Sequence, residues 1–224
     1  MILAIETSNP SARPDAAGVA ILSPDGGVRA LEPLRPIDHH DDALLASIDR
    51  AARAAAISPR DLSLVAVSIG PGGYTALRIA VATAKLIAEA TGARCVGVPT
   101  ARVVARRAAC PAPFAVALAS KADTTHLTRF SGPGDTTGTT VGISRAHDLA
   151  GLGIAALVAD RFLPAPFADE CRRLALELHP PRFDPIACAE IARASEPIDP
   201  AALLPIYPRE PEAVALWRAR GGAT

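Results

Sequence analysis

Residues 62–92 change from a strand pattern to a helix pattern, and this change limits the folds that the chain can adopt. Residues 62–69 form a continuous run rich in β-favouring residues, which is typical of a parallel strand buried on both faces. The glycine-rich tetrapeptide at 70–73 ends this run, because glycines allow positive φ angles and close approach of other groups. Residues 74–91 are then rich in alanine and apolar residues up to Gly92, a suitable helix C-cap. The pattern predicts a strand, a tight turn and a long helix.

The residues on either side of this unit predict further strands and one more helix. Residues 1–7, 16–22 and 28–34 are short apolar runs separated by turn signals, which predicts a three-stranded antiparallel meander. A helix is predicted to begin at Asp38, and a fifth strand covers residues 94–98. The resulting order, β-β-β-α-β-α-β over roughly the first hundred residues, predicts an α/β fold with a mixed sheet.

After Pro99 the chain is richer in loops and prolines, and we predict a domain boundary there. Residues 1–99 would form the first domain and residues 100–224 a smaller second domain. The elements predicted for the second domain are a helix at 100–109, strands at 114–119, 124–130 and 139–143, and helices at 168–179 and 185–194.

The charge balance disfavours a protein that holds a polyanion on its own. Lys+Arg and Asp+Glu both number 23, so the formal net charge is zero, whereas such proteins usually carry a basic excess. We find no apolar run of the roughly 20 residues that span a bilayer. The N-terminus also lacks the basic residue that precedes the apolar stretch of a secretory signal. We expect a soluble, cytoplasmic protein that does not enter a membrane.

The sequence offers little for catalysis. The turn at 70–73 and the helix N-terminus after it suit an anion, but the Gly-Lys-Ser/Thr ending of a phosphate-binding P-loop is missing, and a tight turn also explains the glycines. The four cysteines form no C-x-x-C pair. His39 and His40 are adjacent, so on a helix they would point about 100° apart and would share one ion poorly. Glu6 ends the first strand, where an acidic side chain can meet a cation but is more often simply solvated. We predict no catalytic residue, metal site or cofactor in this chain.

Four segments, in order along the chain, carry a resemblance to a known family. They are ILAIETS at 2–8, HHDDALL at 39–45, GPGGYTALRIAVATAK at 70–85 and PIYPREPEAV at 205–214. These segments resemble motifs of the TsaB (YeaZ) family, of which G-P-G-S-F-T-G-L-R-I-G is the most specific. Gly73, Tyr74 and Ala76 stand where the family usually has Ser, Phe and Gly.

The resemblance implies a two-domain member of the actin-like ATPase superfamily, with a ribonuclease-H-like mixed sheet. It implies a scaffold or activator that works with a TsaD-like catalytic subunit and a TsaE-like ATPase. Together they would transfer a threonylcarbamoyl group to N6 of adenosine 37 in tRNAs that read codons starting with A. The resemblance further implies that the partners hold ATP and a divalent metal, and that tRNA is contacted only through the complex.

The helix at 74–91 is apolar on two sides, as in a helix that lies deep in a core or is shared with a partner. Leu77, Val81, Ala84 and Ala88 are expected on one side, and Ile79, Thr83, Leu86 and Ala90 towards the other. The resemblance implies pairing with a TsaD-like subunit through helices of the first domain, and self-association when that partner is absent. The predicted partner-binding residues are Leu44, Ile48, Ala52, Gly72, Tyr74, Thr75, Arg78 and Ala82.

Three other functions are compatible with parts of the sequence. An actin-like small-molecule kinase or ATPase acting on its own requires a phosphate loop after the first strand, but Glu6-Thr7-Ser8-Asn9-Pro10 has no glycine there. A peptidase requires a Ser/His/Asp or H-E-x-x-H arrangement, and neither is present. A homodimeric binding module would use the same helix face as the predicted partner surface.

Overall fold

The computed structural model describes residues 1–9, 18–34, 43–132, 134–210 and 212–219, which form two five-stranded mixed sheets flanked by helices. The first sheet, in the order β3-β2-β1-β4-β5, contains β1 (Ile2–Glu6), β2 (Gly18–Leu22), β3 (Val28–Pro33), β4 (Leu64–Gly70) and β5 (Arg94–Pro99). The second sheet, in the order β10-β9-β6-β7-β8, contains β6 (Phe114–Lys121), β7 (Thr124–Phe130), β8 (Thr139–Arg145), β9 (Ala156–Ala159) and β10 (Glu177–His179).

Six α-helices are present in the described ranges. They are α1 (Ala43–Ala54), α2 (Tyr74–Thr91), α3 (Thr100–Arg106), α4 (Ala165–Arg173), α5 (Pro185–Arg193) and α6 (Glu212–Ala219). Short 3-10 helices cover Pro59–Asp61, Ala146–Gly151 and Pro200–Ala202.

Each sheet joins an antiparallel meander to parallel strands. In the first sheet β1, β2 and β3 are antiparallel, whereas β4 pairs in parallel with β1 and with β5. In the second sheet β6, β7 and β8 are antiparallel, and β9 is parallel to both β6 and β10. The predicted α/β fold with a mixed sheet is confirmed, and so is the opening meander.

Both faces of the first sheet are covered, because the strands alternate apolar residues towards two separate cores. Leu3 and Ile5 of β1 point towards α1 and α2, where they share a core with Val81 of α2. Ile2 and Ala4 point to the opposite face, where α5 and α3 pack. The apolar pattern of β4 is continuous because both faces of this strand also lie against a core.

Helix α3 lies between the two sheets and packs on both. Val103 contributes to the core between the first sheet and α5. Val104 contributes to the core that contains Phe114 and Phe130 of the second sheet. The far face of the second sheet is covered by α4 and the 3-10 helix Ala146–Gly151.

The chain returns to the first sheet after it has completed the second. Helix α5 packs on β1 and β2, with Ala187 and Cys188 fully buried. Ile198 N–H then donates to the Cys95 carbonyl (2.8 Å), beyond the edge strand β5. The division into residues 1–99 and 100–224 stays a prediction, and the structure adds that residues after 184 complete the core of the first sheet.

Several predicted elements differ from the structure. The helix predicted at 168–179 ends at Arg173, because Ala175 adopts a positive φ of 55°, and residues 177–179 form β10. Strand β9 and helix α6 were not predicted. The predicted helix start at Asp38 lies outside the described residues, and α1 is described from Ala43.

Candidate partner-binding site

The turn between β4 and α2 depends on two glycines. Gly70 has a φ of +102°, and a Cβ there would lie 2.8 Å from Leu77 Cδ1 and 3.0 Å from the Ile206 carbonyl oxygen. A Cβ on Gly72 would overlap the Ser8 carbonyl oxygen and lie 2.8 Å from its carbonyl carbon. Gly73 N–H donates to the same oxygen at 2.6 Å. The turn is therefore fixed against the backbone that follows β1, and this contact explains Gly72 without a partner.

Helix α2 presents two different faces. Leu77, Val81, Ala84 and Ala88, which were predicted to share one side, are buried against the first sheet. Thr83, predicted towards the other side, is also buried. The outer face exposes large apolar residues at helical spacing, with Ile79 45% and Leu86 70% exposed. A long helix therefore offers an uncovered apolar face.

An aromatic and cationic group lies at the start of α2. The Tyr74 ring packs 5.0 Å from the ring of Tyr207. The Arg78 guanidinium lies 5.2 Å from the centre of the Tyr74 ring, and its Nη1 donates to the Tyr74 hydroxyl at 3.2 Å. Burial raises the pKa of Tyr207, and Tyr74 adds to this effect. Within the described chain Arg78 has no acidic partner.

The structure brings half of the predicted surface residues together. Tyr74, Thr75, Arg78 and Ala82 are all exposed on α2.

The residues predicted on α1 lie deeper. Helix α1 covers the same face of the sheet as α2, and Ile48 and Ala52 are partly buried against the core there. Leu44 is only 3% exposed and belongs to that core, so its predicted place on the surface is corrected. Its apolar character is explained by packing against the sheet.

Sequence reasoning missed two surface residues near α2. Leu204 is 68% exposed and Tyr207 39% exposed, and both follow the 3-10 helix that contacts α2. They lie on irregular backbone, which has no periodicity from which exposure could be predicted. The only signal was the motif around Tyr207, and it gave no position in space.

The carboxylate of Glu6 is buried, which corrects the expectation that it is solvated. Its Oε1 accepts from Ser8 N–H (2.9 Å) and from Ser8 Oγ (2.6 Å). Burial raises the pKa of Glu6, against the opposing effect of these hydrogen bonds. Its Oε2 and the neighbouring Thr7 Oγ1 have no hydrogen-bond partner in the described part of the chain.

Two further buried hydroxyls, on β4 and α3, are paired with each other. Ser68 and Thr100 share a hydrogen bond of 2.7 Å, and Thr100 also accepts from Gly70 N–H (3.1 Å). Across residues 1–9, 18–34, 43–132, 134–210 and 212–219, no group of three or more His, Cys, Asp or Glu is placed to hold a metal ion. In the same ranges, no helix has the length and apolar character needed to cross a bilayer.

Comparison with known proteins relates this architecture to a family. The family model described as "TsaD: tRNA N6-adenosine threonylcarbamoyltransferase" matches residues 17–137. No curated protein matches the sequence significantly. Two solved structures from Pseudomonas aeruginosa share the fold. One is described as an uncharacterized protein with similarity to peptidase YEAZ, and the other as YeaZ.

The likeness to these two structures extends over nearly the whole of both chains. The first has a TM-score of 0.68 at 20% identity, covering 93% of this chain and 99% of the other. The second has a TM-score of 0.64 at 18% identity, with 92% and 98% covered. The predicted actin-like, ribonuclease-H-like fold and the predicted resemblance to YeaZ are confirmed. The chain belongs to the TsaD family of tRNA N6-adenosine threonylcarbamoyltransferases and has the fold of YeaZ.

Proposed function

We propose that this chain acts in the biosynthesis of N6-threonylcarbamoyladenosine in tRNA, as a non-catalytic subunit that binds a TsaD-like partner. The observation that carries the proposal is the uncovered apolar face of α2 in a member of this family. The proposed complex also contains a TsaE-like ATPase. Its product is the modified adenosine 37 of tRNAs that read codons starting with A.

The outer face of α2 has the composition of an interface. Ile79 and Leu86 expose large apolar side chains, and exposed apolar patches with polar residues around them mark sites of protein association. Ala82 lies between them in sequence and is also exposed, so its small side chain would allow a second helix to approach closely. Tyr74 and Arg78 continue this face at the start of the helix, and tyrosine and arginine are enriched at interfaces.

The acidic residue at the end of β1 is enclosed by the fold. Glu6, the acidic residue at the end of β1, is fully buried. A carboxyl enclosed in this way does not present its oxygens to a metal–nucleotide complex that arrives from solvent. This supports a scaffold over an actin-like kinase or ATPase acting on its own, and we propose that the partner subunits hold the ATP and the divalent metal.

A reconstitution assay tests the proposal. TsaD-like and TsaE-like proteins from the same genome are incubated with threonine, bicarbonate, ATP, tRNA and the adenylate-forming enzyme, with and without this chain. We expect modified nucleoside only when the chain is present, and none from the chain alone. Equal product without the chain would refute the proposed function, and ATP turnover by the isolated chain would favour the kinase alternative.

A single charge tests the surface. Ala82→Glu is expected to weaken binding of the TsaD-like protein at least tenfold, or about 1.4 kcal/mol, because it places a carboxylate in an apolar contact. Ala165→Glu is the matched control, since Ala165 is an exposed alanine at the first position of α4, on the second sheet. Unchanged affinity of Ala82→Glu would remove α2 from the interface.

A further inference from the structure

We infer that the partner-binding surface is composite, formed by α2 together with residues 198–209, which we call the C-terminal strap, and that the partner places a carboxylate opposite Arg78. This inference rests on the proposed function and specifies its partner. The course of the strap, its exposed side chains, its anchors and the charge of Arg78 support this surface.

The strap follows α2 from its C-terminal half to its N-terminus. Lys85 Nζ donates to the carbonyl oxygens of Ala201 (3.0 Å) and Leu203 (3.4 Å). At the other end of the helix, the ring of Tyr207 lies 5.0 Å from that of Tyr74. The strap therefore runs antiparallel to α2 and lies beside it along most of its length.

Adjacent strap residues face opposite ways. Leu203 is fully buried in the core between the first sheet and its helices, whereas Leu204 is exposed. Leu204 and Tyr207 therefore add apolar area beside the exposed residues of α2. A partner helix that packs on Ile79 and Leu86 would meet these strap side chains at the same time.

The strap is anchored at both ends before any partner binds. Ile198 N–H is bonded to the Cys95 carbonyl, and Ile206 N–H donates to the Ile69 carbonyl at 2.7 Å. Arg209 reaches the second sheet, where its Nη1 donates to the Ala119 carbonyl and its Nη2 to Thr124 Oγ1 (2.6 Å). An anchored segment loses little conformational freedom on binding, so its contacts contribute more fully to affinity.

The charge of Arg78 specifies the partner. Its guanidinium lies against Tyr74 and forms no ion pair with any residue that the structure describes. A partner covering this face would remove water from the guanidinium, and an unpaired buried charge is strongly unfavourable. The fitting occupant is a TsaD-like protein whose apolar docking surface carries an aspartate or glutamate at this position. A second copy of this chain would bring another Arg78 to the same kind of surface.

Binding of the TsaD-like protein to three full-length variants tests the inference. Leu204→Asp is expected to weaken binding at least tenfold, whereas Leu178→Asp, which alters a half-exposed leucine on β10, should bind as the wild type does. Arg78→Glu is expected to weaken binding at least tenfold, and Arg78→Lys should retain most of the affinity because it keeps the charge. Thermal unfolding of each variant separates lost contacts from lost folding.

The outcomes distinguish this inference from the function on which it rests. If Ala82→Glu weakens binding and Leu204→Asp does not, α2 alone forms the surface and the composite surface is refuted. If Arg78→Glu binds as the wild type does, the partner has no carboxylate there. If Leu204→Asp abolishes self-association in sedimentation but leaves partner binding intact, the strap serves a second copy. If neither Ala82→Glu nor Leu204→Asp changes binding, the proposed partner site fails as well.

Discussion

Replacing Gly72 with alanine should destabilise the protein through one backbone contact. The added methyl group would overlap the Ser8 carbonyl oxygen and lie 3.1 Å from Ser8 Cβ. Both of these atoms belong to Ser8, in the segment that follows β1. The N–H of Gly73 donates a hydrogen bond to the same Ser8 carbonyl oxygen. The methyl group can be accommodated only if the turn and this segment move apart.

The expected loss combines two effects. Overpacking by a methyl group costs about 1–3 kcal/mol. Weakening the hydrogen bond from Gly73 to Ser8 costs about 0.5–1.5 kcal/mol more. We therefore expect Gly72→Ala to lower the free energy of unfolding by about 1.5–4.5 kcal/mol. For a chain of this length, this corresponds to a Tm lower by roughly 3–18 °C.

Urea and thermal unfolding, followed by circular dichroism, measure this loss. Gly151→Ala is the matched control, because a Cβ at Gly151 would meet no atom within 4 Å and the residue has no positive φ. The control should stay within about 0.5 kcal/mol of the wild type. If Gly72→Ala is as stable as the control, the close approach of Ser8 does not hold the turn. Gly72 would then again be a candidate partner-binding residue.

Three further predictions concern buried groups. Since burial raises the pKa of Glu6 in the folded chain, its contribution to stability is complete below the unfolded pKa of about 4.3 and is lost as the pH rises through the folded pKa. The stability of Glu6→Gln relative to the wild type should therefore rise with pH over this window, by at most about 1.4 kcal/mol per pH unit, in urea titrations. Leu203→Ala should lower the free energy of unfolding by about 2–5 kcal/mol, while Leu204→Ala changes it little. Burial raises the pKa of the Cys188 thiol well above its usual range. Cys188 should therefore resist thiol labelling at pH 8 until the chain unfolds, whereas half-buried Cys110 reacts first.

Each of these predictions has a contrary result. Parallel stability curves of Glu6→Gln and the wild type across the window would mean that Glu6 titrates as an exposed carboxyl. Equal stability of the two leucine variants would place Leu203 outside the core. Labelling of Cys188 and Cys110 at one rate in native protein, resolved by peptide mapping, would contradict the burial of α5.

The first half of the fold was predictable because its signals are local. The apolar run before Gly70 and the cap at Gly92 determine β4 and α2 with almost no help from the rest of the chain. In the second half, Ala175 adopts a positive φ that nothing in an alanine predicts, so the end of α4 was missed. Strands β9 and β10 are four and three residues long, too short for a periodic pattern.

The candidate site was only partly predictable for a related reason. Helical periodicity identifies the two faces of α2, but it does not say where the sheet lies beside α1. Leu44 and Leu45 are adjacent leucines at the start of that helix, and packing buries the first and exposes about half of the second. The strap has no periodicity at all, and its position depends on contacts with residues more than a hundred positions earlier, such as Lys85.

Because α5 packs on the first sheet, that sheet cannot complete its folding until late in the synthesis of the chain. Domains commonly fold as units, N-terminal first, while the rest of the chain is still being made. Here the face carrying Ile2, Ala4 and Val96 is covered partly by α3, and its cover is complete only when residues 185–193 have been translated. A nascent chain that stops after β5 carries an uncovered apolar sheet face and invites chaperones or misassembly. The last quarter of this polypeptide therefore decides when the first sheet, which lies in its first half, becomes native.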